Sequence, residues 1–260
     1  MNEGIINIEL TRLIAAYIFV LVLLFIVKTR KISREKQIAI ATLRMTIQLI
    51  VAGYILTYIF ENPHPLLTVL IILFMEVFAI RNVFKQVKAA LSDQMKRIIT
   101  ISMLSGSLAS LLYFNLVVIN FSPWYEPRYF IPIAGMIIGN SMTGITLGVK
   151  TLLQGFSSEK AKIEGALMLG ADPQTAAKPY VDHAFDSAVL PTINNMLGMG
   201  IVFLPGMMTG QILSGVSPLL AIEYQIAILL GILGSVSLTV ILFILLGYRT
   251  FFTKDSRLQD

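Results

Sequence analysis

Long apolar runs, separated by short basic clusters, leave this chain few ways to fold. A helix rises 1.5 Å per residue, so about 20 apolar residues cross a hydrocarbon core ~30 Å thick. Seven stretches approach or exceed that length: residues 8–27, 38–60, 66–84, 98–120, 130–149, 188–213 and 219–246. In lipid the backbone must satisfy its own hydrogen bonds, and runs of this length do so as helices. Only 13% of the residues are charged and mean hydropathy is +0.78, where a soluble domain carries about 25% charge. The expectation is an all-α integral membrane protein with about seven transmembrane helices, residues 1–260 forming one multi-pass domain of the cell membrane.

The basic residues set an orientation. Lys28, Arg30, Lys31, Arg34 and Lys36 follow span one, and Arg81, Lys85, Lys88, Lys96 and Arg97 surround the link from span three to four. Lys150, Lys160, Lys162 and Lys178 lie between spans five and six, and Arg249, Lys254 and Arg257 follow span seven. Arg12 and Arg128 fall on the opposite side, and Arg44 inside span two. Positive charge stays cytoplasmic, so the N-terminus is expected outside and the C-terminus inside, which requires an odd number of spans. The leading segment of span one is acidic, with Glu3 and Glu9, and its basic cluster follows it, the reverse of a cleaved leader. Trp124, Tyr125 and Tyr129 suit an outer loop at the membrane surface. The net charge of +5 sits at these helix ends and gives no reason to expect nucleic acid as a partner.

Small residues recur at four-residue spacing: Ser102, Gly106 and Ser110; Gly135 and Gly139; Gly144 and Gly148; Gly206 and Gly210; Gly231, Ser235 and Thr239. That spacing lets helix backbones approach closely in lipid. Gly144 to Thr151 resembles a phosphate loop, but its spacing is wrong and its Lys150 ends a membrane span, so the chain carries no ATP site of its own. The absence of cysteine excludes disulfides and thiolate metal sites.

The longest polar stretch covers residues 154–187. Ser157 and Ser158 are placed to cap a helix with Glu159 in its first turn. Ile163, Ala166, Leu167 and Gly170 share a face, and Gly170 fits a terminal glycine cap. Asp172 and Pro173 supply the cap and first-turn proline of the next helix. A short amphipathic helix from Lys160 to Leu169 is expected, either docked on a cytoplasmic partner or lying on the membrane surface.

Polar groups within the spans are costly and so draw functional attention. Arg44 and Gln48 lie one turn apart in span two, Glu76 lies in span three near Arg81, and Glu223 sits near the outer end of span seven. Span six carries Asn194, Asn195, Met196 and Met199, then Pro205-Gly206-Met207-Met208 and Gln211. Adjacent proline and glycine break a membrane helix, and broken helices form transport sites. The thioethers of Met207 and Met208 could hold a soft metal, or could serve as flexible packing. Span seven has no lysine for a retinal linkage, and no HExxH motif occurs.

The stretch Ile131-Pro-Ile-Ala-Gly-Met-Ile-Ile-Gly-Asn140 with Met142, and Leu204-Pro-Gly-Met-Met-Thr-Gly-Gln-Ile-Leu-Ser-Gly215 running on to Ile226, resemble hallmarks of the FetB-type iron-export permease family. Arg44, Gln48, Leu49, Gly53 and Tyr54 resemble its second span. The resemblance covers nearly the whole chain. It implies the permease domain of an ABC exporter for iron or another metal, free or chelated, working beside a second copy of itself in membrane lipid. ATP and Mg would be bound by a separate ATPase subunit, with no cofactor in this chain. Glu164-Gly165-Ala166 followed by Gly170 resembles the coupling loop of importer permeases, though Leu190-Pro191 comes eight residues too late for a match. On this reading Lys160, Ile163, Glu164, Ala166, Leu167 and Gly170 couple to the ATPase. Arg44, Gln48, Glu76, Asn140, Met142, Asn195, Pro205, Met207, Met208 and Gln211 form the substrate pathway. Arg44 would repel a bare cation, favouring a chelated metal or an anion. The alternatives are a proton- or ion-coupled secondary transporter using Glu76 or Glu223, and a seven-helix receptor.

Overall fold

A computed structural model describes residues 8–87, 91–253, 255 and 257–258. Glu3, Lys88 and Lys254, used above for orientation, lie outside the described residues. Among those residues the chain is helical and has no strand. Helices α1 (Leu10–Ala16) and α2 (Ile18–Thr29) make the first crossing, followed by α3 (Glu35–Glu61) and α4 (Pro65–Val87). Next come α5 (Asp93–Tyr113), α6 (Pro127–Ser158), α7 (Lys160–Met168) and α8 (Pro173–Gly198). Then come α9 (Gly206–Leu213) and α10 (Pro218–Gly247). Six helical units are long and apolar enough to cross a membrane: Leu10–Thr29, α3, α4, Asp93–Ile119, α6 and Pro218–Phe251.

The expected sixth crossing, residues 188–213, is not one helix. α8 starts far earlier, at Pro173, and the part before Ala188 carries Lys178, Asp182 and Asp186. The helix ends at Gly198, the backbone is irregular from 199 to 205, and α9 resumes at Gly206. Pro205 has no N–H to donate and caps α9 from outside. The fifth span also runs longer than expected, because helix continues to Ser158. Ser157 and Ser158 therefore cap nothing, and Glu159 sits at the junction of α6 and α7. Other caps fall where the sequence puts them. Asp172 accepts from the Thr175 N–H at 2.9 Å, Pro173 opens α8, and Gly170, at φ +93°, closes α7.

α4, α5, α6, α8 and α10 form the packed bundle. The small-residue stripes explain the close approaches. A Cβ on Gly106 of α5 would lie 2.7 Å from the Thr239 Cα of α10, and one on Gly144 of α6 would lie 2.6 Å from Val236. The Ser141 and Ser235 hydroxyls share a hydrogen bond of 2.8 Å across the same seam. These stripes pack within one chain, whereas Cβ atoms on Gly139, Gly206 and Gly210 would meet nothing within 4 Å. At one end of the bundle, Phe121 stacks on Tyr129 and Trp124 meets Tyr125 edge to face, in the aromatic loop the sequence suggests. At the other end, Phe156 stacks on Phe251 at 4.1 Å and ties the chain after α10 to α6.

The α2–α3 hairpin stands apart. α3 packs on α2 and touches α6 only lightly. The Tyr17 hydroxyl, at the junction of α1 and α2, hydrogen-bonds Thr46 of α3 at 2.6 Å. Most of α3 is uncovered by protein.

Candidate functional site

Where α3 meets the bundle, a groove of about 510 Å³ opens between α3, α4 and α6. Gln48, Phe78, Gly135, Gly139 and Met142 line it. Gly135 and Gly139 keep the α6 wall flat, since neither carries a Cβ. The Met142 sulfur accepts a hydrogen bond from Asn82 of α4 at 3.3 Å. Arg44 lies one turn below Gln48, its guanidinium 5.4 Å from the Phe78 ring centre. Among the described residues Arg44 has no ion pair, so the Phe78 face is its recorded electrostatic partner. Gln37, Arg44 and Gln48 lie along one exposed face of α3, interleaved with Ile40, Ala41, Met45 and Leu49. This face is uncovered by the rest of the chain.

The other expected pathway residues divide. Asn140 donates to the Met136 carbonyl of its own helix at 2.7 Å, which turns its amide along α6. Glu76 is fully buried between α4 and α5, where its carboxyl meets the Ser107 hydroxyl rather than a basic neighbour such as Arg81. It faces the bundle interior, away from the α3 groove. Asn195 is exposed on α8, next to exposed Asn194. Met207 and Met208 point in different directions, because neighbours on a helix lie about 100° apart. Met208 is buried and Met207 packs partly against the core. Gln211 turns an amide oxygen inward that has no partner among the described residues.

A second hollow, of about 420 Å³, sits at the break in span six. Met196, Met199, Met208, Pro205 and Gln225 line it. Met196 and Met199 stand out in the sequence of that span. Sequence reasoning misses Gln225 as a site residue, although an amide inside a long apolar run is the available signal.

α7 lies against α6 and α8. Ile163 is 1% exposed and belongs to the core, with Ala166 and Leu167 packed partly on it. The face expected to greet a partner therefore turns inward and fixes α7 to its own bundle. The outward groups are Met168, 87% exposed, and Leu169, 91% exposed, at the end that Gly170 terminates. Lys160 lies 3.9 Å from Glu164 along the same helix. Glu159 holds Lys162 at 2.5 Å and keeps its ammonium above the usual lysine range. The Thr175 hydroxyl and N–H hold Asp172 below the usual carboxylate range.

The profile of the uncharacterised protein family UPF0014 matches residues 10–252. The chain is 34% identical to the UPF0014 membrane protein YjkA of Bacillus subtilis, covering 94% of this chain and 95% of that one. It is 34% identical to the probable iron export permease protein FetB of Escherichia coli, covering 97% and 95%. The protein ALUMINUM SENSITIVE 3 of Arabidopsis thaliana is 33% identical over 94% of this chain and 88% of its own. No solved structure matches the chain.

Proposed function

The chain belongs to the UPF0014 family of membrane proteins, and from that premise we propose that it is the permease subunit of an ATP-driven ABC exporter. It works as a homodimer with a separate ATPase and moves iron or another metal, free or chelated, out of the cytoplasm. The iron reading rests on the name of the Escherichia coli relative.

The observation that carries the coupling half of this reading is α7. Its inner face is anchored through Ile163, and its tip offers Met168 and Leu169 to solvent. Two large exposed apolar side chains at the end of a short anchored helix suit insertion into a partner's cleft. α7 rests on α6, an unbroken helix of 32 residues. At 1.5 Å per residue that is about 48 Å, longer than the ~30 Å hydrocarbon core. A push on α7 thus acts on a lever that runs through the membrane and forms one wall of the α3 groove. ATPase closure would tilt that wall and switch the groove between inward-facing and outward-facing states.

Homodimerisation is supported by α3. An uncovered arginine inside a bilayer costs several kcal/mol unless it snorkels or gains a polar surround. A second copy placed against α3 supplies that surround and encloses an aqueous path lined by Gln37, Arg44 and Gln48 from both copies. With guanidinium groups on both walls, the cargo carries compensating negative charge, as a metal chelate does. The apolar half of α8, the irregular turn and α9 together form a broken sixth crossing, giving seven crossings with the N-terminus outside.

The test is affinity purification of the tagged chain in mild detergent from its own membranes. A stoichiometric ATPase that is retained by wild type and lost from the Met168→Asp, Leu169→Asp variant supports the reading. A chain that purifies alone under all mild conditions removes it.

A further inference from the structure

The interruption in span six is ordered. Gly200, at φ +79°, donates to the Phe203 carbonyl at 3.0 Å, and the Val202 N–H donates to the Gly198 carbonyl at 2.9 Å. The Phe203 ring packs on Gly198, where a Cβ would come within 2.8 Å. Non-helical backbone at membrane depth persists where it lines a cavity and satisfies its own hydrogen bonds. Here it sets Met199, in extended backbone, beside Met196 from the last turn of α8 and Met208 from α9. Three thioethers from three separate local structures thus line one hollow of about 420 Å³.

The fourth wall is α10, and it presents an unusual group. Gln225 is only 7% exposed, lines the same hollow, and its amide oxygen has no hydrogen-bond partner among the described residues. An unpaired buried acceptor is costly, so an apolar residue would serve better if the position only filled space. A leucine in place of each methionine would pack as well. Three soft donors and one idle oxygen around a common space are a donor set.

We propose that Met196, Met199, Met208 and Gln225 form a binding site for a soft, singly charged d10 cation, with Cu(I) as the physiological ion and Ag(I) as its mimic. Thioethers select such ions over hard ones. None of the four residues is charged, and the cost of desolvating an ion rises with the square of its charge, so an uncharged donor set favours a monovalent ion. Among the described residues no group of three His, Cys, Asp or Glu is arranged to hold a metal, so hard Fe(III) or Al(III) has no comparable set here. The hollow exceeds the size of one ion. Methionines have three rotatable bonds and can close on it, with the amide oxygen as a weaker fourth ligand. The site does not depend on ATPase coupling, and in a working permease it would add a soft cation to the range of cargo.

The test is anaerobic titration of the purified chain in detergent with Cu(I), in competition with bathocuproine disulfonate, with X-ray absorption for the ligand set. The expected result is one Cu(I) per chain in a shell of three sulfurs. Met196→Leu, Met199→Leu and Met208→Leu should each weaken binding about tenfold or more, equivalent to ~1.4 kcal/mol. Met136→Leu, on α6 and outside the hollow, should bind as wild type. Single substitutions conserve volume, so a shared melting temperature certifies the fold. Absence of Cu(I) binding, an oxygen- or nitrogen-only shell, or equal affinity across the three variants and Met136→Leu would overturn the proposal.

Discussion

Gly106 offers a quantitative check on the bundle. A Cβ built there crowds the Thr239 hydroxyl and lies 2.7 Å from the Thr239 Cα and 2.8 Å from its N. The hydroxyl can rotate away, but the backbone atoms cannot. Against an optimal carbon–carbon separation of ~3.5 Å, the approach to the Thr239 backbone carbon is short by about 0.8 Å. The Gly106→Ala variant must therefore push α5 and α10 apart by nearly that distance, and the displacement reaches the Ser141–Ser235 bond beside it. Forced overpacking of this kind costs about 1–3 kcal/mol. Alanine also favours helix over glycine by up to ~1 kcal/mol, which masks part of the loss. Gly234→Ala is the matched control, since it lies in α10 with nothing within 4 Å of its added Cβ and gains the same helix preference. The difference between the two variants isolates the steric term. At roughly 2–4 °C per kcal/mol it amounts to about 2–12 °C in detergent melting temperature. If Gly106→Ala melts with Gly234→Ala, the α5–α10 seam is not packed as described.

Other expectations follow from single groups. Glu76→Gln keeps a hydrogen-bonding partner for Ser107 and should retain stability and ATP-driven transport, whereas loss of transport only under an imposed proton gradient would favour the secondary-transporter alternative. The chain has no cysteine, so Met168→Cys and Ser122→Cys can be labelled in whole cells by a membrane-impermeant maleimide. Labelling only at position 122 is expected for an outside N-terminus, and labelling only at 168 reverses it. Asp172 is held below its usual range, so its cap on α8 is intact above the unfolded carboxylate value of about 4 and is lost as pH falls through the lower folded value. Protection of the Thr175 amide, relative to its intrinsic exchange at each pH, should fall only at that acid end, and Asp172→Asn should flatten the profile because asparagine also caps. Arg44→Gln should slow export of an anionic chelate and leave the fold intact. Unchanged transport would remove Arg44 from the pathway.

Much of this architecture is legible because membrane helices are specified by length and polarity, which a sequence displays directly. The Asp172–Pro173 start of α8, the Gly170 stop of α7 and the aromatic loop before α6 each follow from local sequence chemistry. The Ser157–Ser158 cap fails because α6 continues past the bilayer, where hydropathy no longer marks its end. The facing of α7 also differs from expectation: periodicity shows that Ile163 and Leu167 share a side, but only packing shows that the side turns inward. Residues 188–213 read as one span because apolar character persists through the break, and the structure divides them at Gly198 and Gly206. Met207 and Met208 draw attention as neighbours, yet helical geometry separates them and brings Met208 toward Met196, Met199 and Gln225. Long-range juxtapositions such as Glu76 with Ser107 and Asn82 with Met142 have no signature in local spacing.

The central claim, that this chain is driven by a separate ATPase through α7, is tested most directly by reconstitution. The purified chain and its co-purifying ATPase are placed in proteoliposomes, and ATP hydrolysis and metal-chelate flux are measured together. The account predicts flux that requires ATP and is abolished with Met168→Asp and Leu169→Asp, while the melting temperature of the permease is unchanged. Flux that proceeds without the ATPase, or that survives this double substitution at full rate, would contradict it.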